Sequence, residues 1–133
     1  PIQYRNMNNL KVLSMSKNAF SGTLPPGMGF LKSLEYLYLD GNTFSGRIPS
    51  ELKALTNLKS LALGFNKFRL EIPKELQSLS QLQFVSFNNN RLEGPVEDSM
   101  IRNWLKLTHV FFHENNLNGT IPASVFALKE LSK

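Results

Sequence analysis

Residues 34–57 read LEYLYLDGNTFSGRIPSELKALTN, a phrase that returns along the whole chain. Leu34, Leu37 and Leu39 stand eight, five and three positions before Asn42. The same apolar triplet precedes four further asparagines. It reads Leu10/Leu13/Met15 before Asn18, Leu58/Leu61/Leu63 before Asn66, Leu82/Val85/Phe87 before Asn90, and Leu107/Val110/Phe112 before Asn115. The asparagines are 24, 24, 24 and 25 residues apart. A fixed period in this range is the signature of a solenoid. Solenoids present a long repeated surface, so function is to be sought on a face rather than in a pocket.

Within each unit the last apolar residues alternate with outward ones, the pattern of a short strand. Leu37 and Leu39 point inward, and Tyr36, Tyr38 and Asp40 point the other way. A parallel neighbour repeats this one unit later, about 4.8 Å away, and stacking supplies a core that no single strand can bury. The Asn closes the strand at a turn whose backbone N–H and C=O groups need partners. Its side chain offers both a donor pair and an acceptor, so stacked asparagines can satisfy the turns above and below. The second half of the unit also recurs. A large apolar residue (Phe20, Phe44, Phe68, Leu92, Leu117) follows each Asn by two. Gly22, Gly46, Gly94 and Gly119 follow by four, and Leu24-Pro25, Ile48-Pro49, Ile72-Pro73 and Ile121-Pro122 by six and seven. Proline fixes φ and gives up its N–H, which suits the start of a helical turn. Leu52, Leu55 and Leu58, like Leu76, Leu79 and Leu82, then run at three-residue steps, the spacing of a 3₁₀-like convex segment.

The unit LxxLxLxxNxFSGxIPxxLxxLxx, almost complete from Leu34 to Asn57, resembles the plant-type leucine-rich repeat, and the resemblance covers essentially the entire chain. It implies an α/β repeat fold: a curved, right-handed solenoid with a concave parallel β-sheet and convex 3₁₀ or short helical segments. The Gly-x-Ile-Pro segment implies a second, shorter sheet. Such repeats are typical of plant receptor-like kinase ectodomains, receptor-like proteins and pectinase inhibitors.

The chain has 133 residues, 41% hydrophobic and 19% charged, the balance of a folded globular protein. Residues 1–133 read as a single solenoid of about five repeats. Both ends fall mid-repeat: Pro1, Tyr4, Met7 and Leu10 match the Pro and the three-step positions, as do Val125, Leu128 and Leu131. No cap is evident at either end, which points to a piece of a longer repeat protein, with neighbouring repeats of its parent chain as its nearest partners. No apolar stretch approaches the ~18 residues of a membrane span, so no direct membrane insertion is expected. The net charge of +5 is spread and interrupted by acids, which argues against a nucleic-acid groove.

The outward columns of the strands are rich in aromatics. Tyr36, Tyr38, Phe65, Phe84 and Phe111, with Asp40, His109 and His113 beside them, are the expected contacts of a protein or peptide ligand. The alternative is that these aromatics serve cross-strand packing alone. Two units are irregular. Arg69-Leu70 replaces an X-Gly pair. Gly94-Pro95-Val96-Glu97 moves the proline two places early, and one residue is gained before Leu107. The segment from Glu97 to Leu105 is expected to form a helical turn capped by Asp98 or Ser99. Met100 and Trp104 should fill the core positions, leaving Ile101 and Leu105 exposed as a second contact. Asn118-Gly119-Thr120 is the only N-glycosylation sequon, meaningful in a secreted context.

His109 and His113 fall on a strand roughly 13 Å apart, too far to share a zinc with bonds of about 2 Å. No metal and no cofactor is expected. Gly27-Met28-Gly29 lacks the strand–turn–helix context of a dinucleotide site. With no cysteine and no Ser/His/Asp arrangement, the chain does not read as an enzyme. Two functions remain: a recognition module of a receptor-like or inhibitor-like protein, extracellular or membrane-attached, or a structural subunit packed inside a larger, intracellular assembly.

Overall fold

The computed structural model describes residues 7–128; Pro1, Tyr4 and Leu131, on which the reading of the two ends partly rests, lie outside them. The alternating segments form β1 (Val12–Ser14), β3 (Tyr36–Tyr38), β5 (Ser60–Ala62), β7 (Phe84–Ser86) and β9 (His109–Phe111), which pair in that order as one parallel sheet. Its register follows the repeat: Tyr36 lies beside Val12 and Ser60, and Phe84 beside Ser60 and His109. Leu37, Leu61 and Val85 are therefore superimposed and fully buried. Parallel strands joined through crossovers wind right-handed, so the chain is the curved solenoid its repeats describe.

Each ladder asparagine clamps two units. Asn66 donates through Nδ2 to Leu63 O at 3.2 Å and Gly64 O at 3.1 Å of its own turn, and to Leu39 O at 3.0 Å of the preceding unit. Its Oδ1 accepts the Phe44 N–H at 3.0 Å. Asn42, Asn90 and Asn115 repeat this set. Among the described residues, Asn18 reaches only Met15 O and Ser16 O within its own turn. The residue before each ladder Asn is left-handed, with φ between 53° and 67° at Lys17, Gly41, Phe65, Asn89 and Glu114. The turn imposes this on every unit whatever side chain it carries.

A second parallel sheet runs along the flank: β2 (Ser21–Thr23), β4 (Thr43–Gly46), β6 (Lys67–Glu71), β8 (Arg91–Pro95) and β10 (Asn116–Asn118). Beneath it Phe20, Phe44 and Phe68 stack at 6.2 and 6.4 Å. Its register falls two residues short of the repeat at every pairing. Thr43 pairs with Ser21 and Arg91 with Arg69, 22 residues on rather than 24. The glycine four after the Asn is left-handed in each unit that carries one, with φ from 74° at Gly94 to 84° at Gly22; Leu70 holds the same conformation at φ 68°. A left-handed residue with a Cβ costs about 1–2 kcal/mol, whereas glycine loses about 0.5–1 kcal/mol in chain entropy. Leu70→Gly is thus expected to stabilise the fold by up to about 1 kcal/mol, read as a higher urea midpoint at unchanged slope.

The convex side carries 3₁₀ turns at Pro26–Phe30, Ser50–Ala54, Lys74–Ser78 and Ala123–Ala127, each preceded by its proline, which is extended at Pro25, Pro49 and Pro73. The irregular fourth unit instead forms α1 (Asp98–Asn103). Two expectations fail here. Neither Asp98 nor Ser99 caps the helix: Glu97 stands at the N-cap, without a side-chain hydrogen bond. The Asp98 carboxylate accepts the Ser124 N–H at 2.9 Å and pairs with Arg102 at 2.6 Å, tying α1 to the next convex turn. The Ser124 N–H, then Arg102, hold its carboxyl below the usual range. Ile101 is also fully buried, with Met100 and Trp104. The added residue turns a 3₁₀ segment into α-helix, and α spacing brings neighbouring positions 100, 101 and 104 onto the inward side. Leu105 alone remains out, 74% exposed.

Candidate functional site

The outward residues of the first sheet fall into two aromatic groups. Tyr36 and Tyr38 on β3 lie 6.3 Å apart. Beside them Lys59 Nζ sits 5.9 Å from the Tyr36 ring centre, a cation–π contact. Lys59 is held there by Glu35 at 2.6 Å, which also meets Lys11 at 3.3 Å. Those two ammonium groups, Lys59 first, depress the Glu35 carboxyl, and Glu35 in turn raises Lys59. Asp40 continues the β3 column and accepts a hydrogen bond from Ser16 Oγ at 2.6 Å.

The second group spans β7 and β9. Phe84 contacts His109 at 6.1 Å and Phe111 at 5.7 Å. Phe111 packs on His109 at 6.4 Å and meets His113 edge-on at 6.1 Å. Both histidines are thus arranged around one phenyl ring. Phe65 lies apart from both groups, in the left-handed turn after β5, and is 58% exposed. Its exposure follows from the turn shared by every unit.

Between the groups β5 carries only small side chains. Ser60 and Ala62 point outward yet are only 5% and 6% exposed: Tyr36 and Phe84 stand over Ser60, and Tyr38 stands over Ala62. Gly64 continues this floor. A Cβ there would lie 2.7 Å from Ser86 Oγ and 2.8 Å from Asn88 Oδ1, atoms already joined by a 2.6 Å hydrogen bond. Over Ser60 lies a furrow of about 290 Å³ lined by Tyr36, Tyr38, Lys59, Ser60, Gln83, Phe84 and Thr108. Its walls are two strand spacings apart, about 10 Å.

The sequence reading picked out the walls but not the floor, nor the Glu35–Lys59 pair that props Tyr36. Small residues occupy the third unit in all three outward columns, and at Ser60 they stand between two aromatics, Tyr36 and Phe84. Asn118 lies elsewhere, exposed on β10 of the flank sheet. Ile101 contributes to no surface, and Leu105 stands alone on the convex side. No helix among the described residues is long and apolar enough to cross a membrane.

Stacked units of strand, asparagine turn, flank strand and convex turn define a parallel-sheet repeat solenoid with an open concave face. The Leucine Rich Repeat family model matches residues 9–31, 33–55 and 57–79, just over half of the chain. The chain belongs to the leucine-rich repeat family. Its structure is similar to that of a TDR receptor, with a TM-score of 0.93 and 32% identity over 98% of this chain and 22% of that one. It is similar to the plant peptide hormone receptor RGFR1 in complex with RGF2: TM-score 0.92, 29% identity, 98% of this chain and 21% of that one. It also resembles the Arabidopsis receptor kinase HAESA in complex with the peptide hormone IDA and the co-receptor SERK1: TM-score 0.86, 32% identity, 93% and 21%. The chain spans about a fifth of the length of these structures. No curated protein matches it.

Proposed function

We propose that the chain is the recognition segment of a larger receptor-like protein, extracellular or membrane-attached, which takes a peptide or an extended protein segment on its concave face. The observation that carries this reading is the furrow over Ser60 between Tyr36 and Tyr38 on one side and Phe84 on the other. Exposed aromatics used only for packing would leave no floor between them. A gap of about 10 Å admits one extended chain flanked by its side chains. Aromatic walls supply apolar contact at little entropic cost, and Lys59, Gln83 and Thr108 supply polar partners at one end. The similarity to peptide-hormone receptor ectodomains supports the same use of the face.

The test is a selection of random peptides displayed on phage against the unaltered chain, followed by measurement of the selected peptides on Tyr38→Ala/Phe84→Ala. Paired loss of two hot-spot rings is expected to weaken binding by at least about 2 kcal/mol, roughly thirtyfold. The circular dichroism spectrum should stay unchanged, since both rings stand on the outer side of the sheet. Selected peptides that bind both proteins equally would remove the concave site.

A further inference from the structure

The flank sheet places like charges side by side. In its shifted register Arg69 lies beside Arg91, and Glu71 beside Glu93, about 4.8 Å apart across the strands. All four side chains are exposed, and none of them enters an ion pair among the described residues. Like charges directly opposite one another on a sheet are destabilising. Had β6 and β8 kept the repeat's own register, Arg69 would have faced Glu93 instead. The outcome is a row of two cations and, about 6.5 Å further along the strands, a row of two anions. Between the rows stands Leu70, 47% exposed in its left-handed conformation.

We propose that this patch is a self-association surface whose partner is a second copy of the chain. A two-fold axis lying in the interface, across the strands and over Leu70, reverses the strand direction of the second copy. It sets Arg69 and Arg91 of each copy over Glu71 and Glu93 of the other, and brings the two Leu70 side chains together at the axis. A surface with this symmetry is complementary to itself, and the like-charge rows that are unfavourable in one chain become four opposite-charge contacts in two. Two short strands offer less than the ~1,200 Å² of a stable interface, so the association is weak, reversible and salt-dependent. Asn118 lines a groove together with Leu70, Glu71 and Glu93, and a glycan there would obstruct the second copy.

Sedimentation of the unglycosylated 133-residue chain, produced in bacteria, tests this. A concentration-dependent dimer is expected, weakened about tenfold on going from about 50 to about 500 mM NaCl. Arg69→Glu with Arg91→Glu, which makes the whole patch acidic, should weaken it by at least about tenfold. Adding Glu71→Arg and Glu93→Arg exchanges the two rows at unchanged net charge and should restore the dimer, because the two-fold complementarity returns. A chain monomeric up to about 1 mM, weaker than any specific contact of this kind, overturns the proposal. So does association indifferent to the acidic variant, as end-to-end stacking through the exposed Phe126 would be. Failure of the row exchange to restore the dimer excludes the two-fold arrangement.

Discussion

Trp104→Ala is expected to destabilise the chain by about 4 kcal/mol, the largest effect of any single substitution considered for this solenoid. The ring is fully buried, and its indole Nε1 donates to the Leu76 carbonyl at 3.0 Å. Truncation leaves a void between α1 and the preceding convex turn, where neighbouring turns relax only partly. It also strips the Leu76 carbonyl of a donor in a place water does not reach. Urea unfolding followed by far-ultraviolet circular dichroism should show the loss as a lower midpoint. In a repeat protein the effect spreads through nearest-neighbour interfaces, so units four and five should lose amide protection before the others. Phe126→Ala, at a position 81% exposed, is the control and should leave stability within about 0.5 kcal/mol. Equal effects at the two positions would show that the convex turns of unit four are not part of the cooperative core.

Asn66→Ala is expected to cost about 3 kcal/mol. Four hydrogen bonds converge on this side chain. Each contributes only about 1 kcal/mol net, but their backbone partners stay in place after the substitution and water reaches few of them. The Phe44 N–H and the Leu39 carbonyl belong to the preceding unit, so the loss falls on the interface between repeats. Asn18→Ala, which removes only two contacts within its own turn, should cost less than about 1 kcal/mol. A ladder whose members all cost the same would mean that the turn alone is being stabilised and that the clamp between units contributes nothing.

Much of this molecule was legible in the residues. The triplet before each Asn identifies Leu37, Leu61 and Val85 as inward and Tyr36, Tyr38 and Phe84 as outward, because a strand has only two sides. Ile101 was misplaced for a reason of the same kind. Giving the core positions of the helical turn to Met100 and Trp104 alone leaves position 101 outside, whereas Met100 and Ile101 are only about 100° apart on the helix and both are buried with Trp104. The walls of the concave face could be read residue by residue. The furrow could not, since it is a difference of height between neighbouring strands: the low exposure of Ser60 and Ala62 comes from side chains one unit away.

By itself the sequence determined the repeating unit, the ladder that clamps one unit to the next and the side of the sheet on which each aromatic stands. These follow from local periodicity and from the hydrogen-bonding capacity of one side chain. Only the tertiary structure decided the register of the flank sheet, and with it the meeting of Arg69 with Arg91 rather than Glu93. The same two-residue offset recurs at each pairing of the flank strands. It matches the hydrogen bond by which each ladder Asn Oδ1 accepts an N–H of the preceding unit, a contact between units that the spacing within one unit does not reveal.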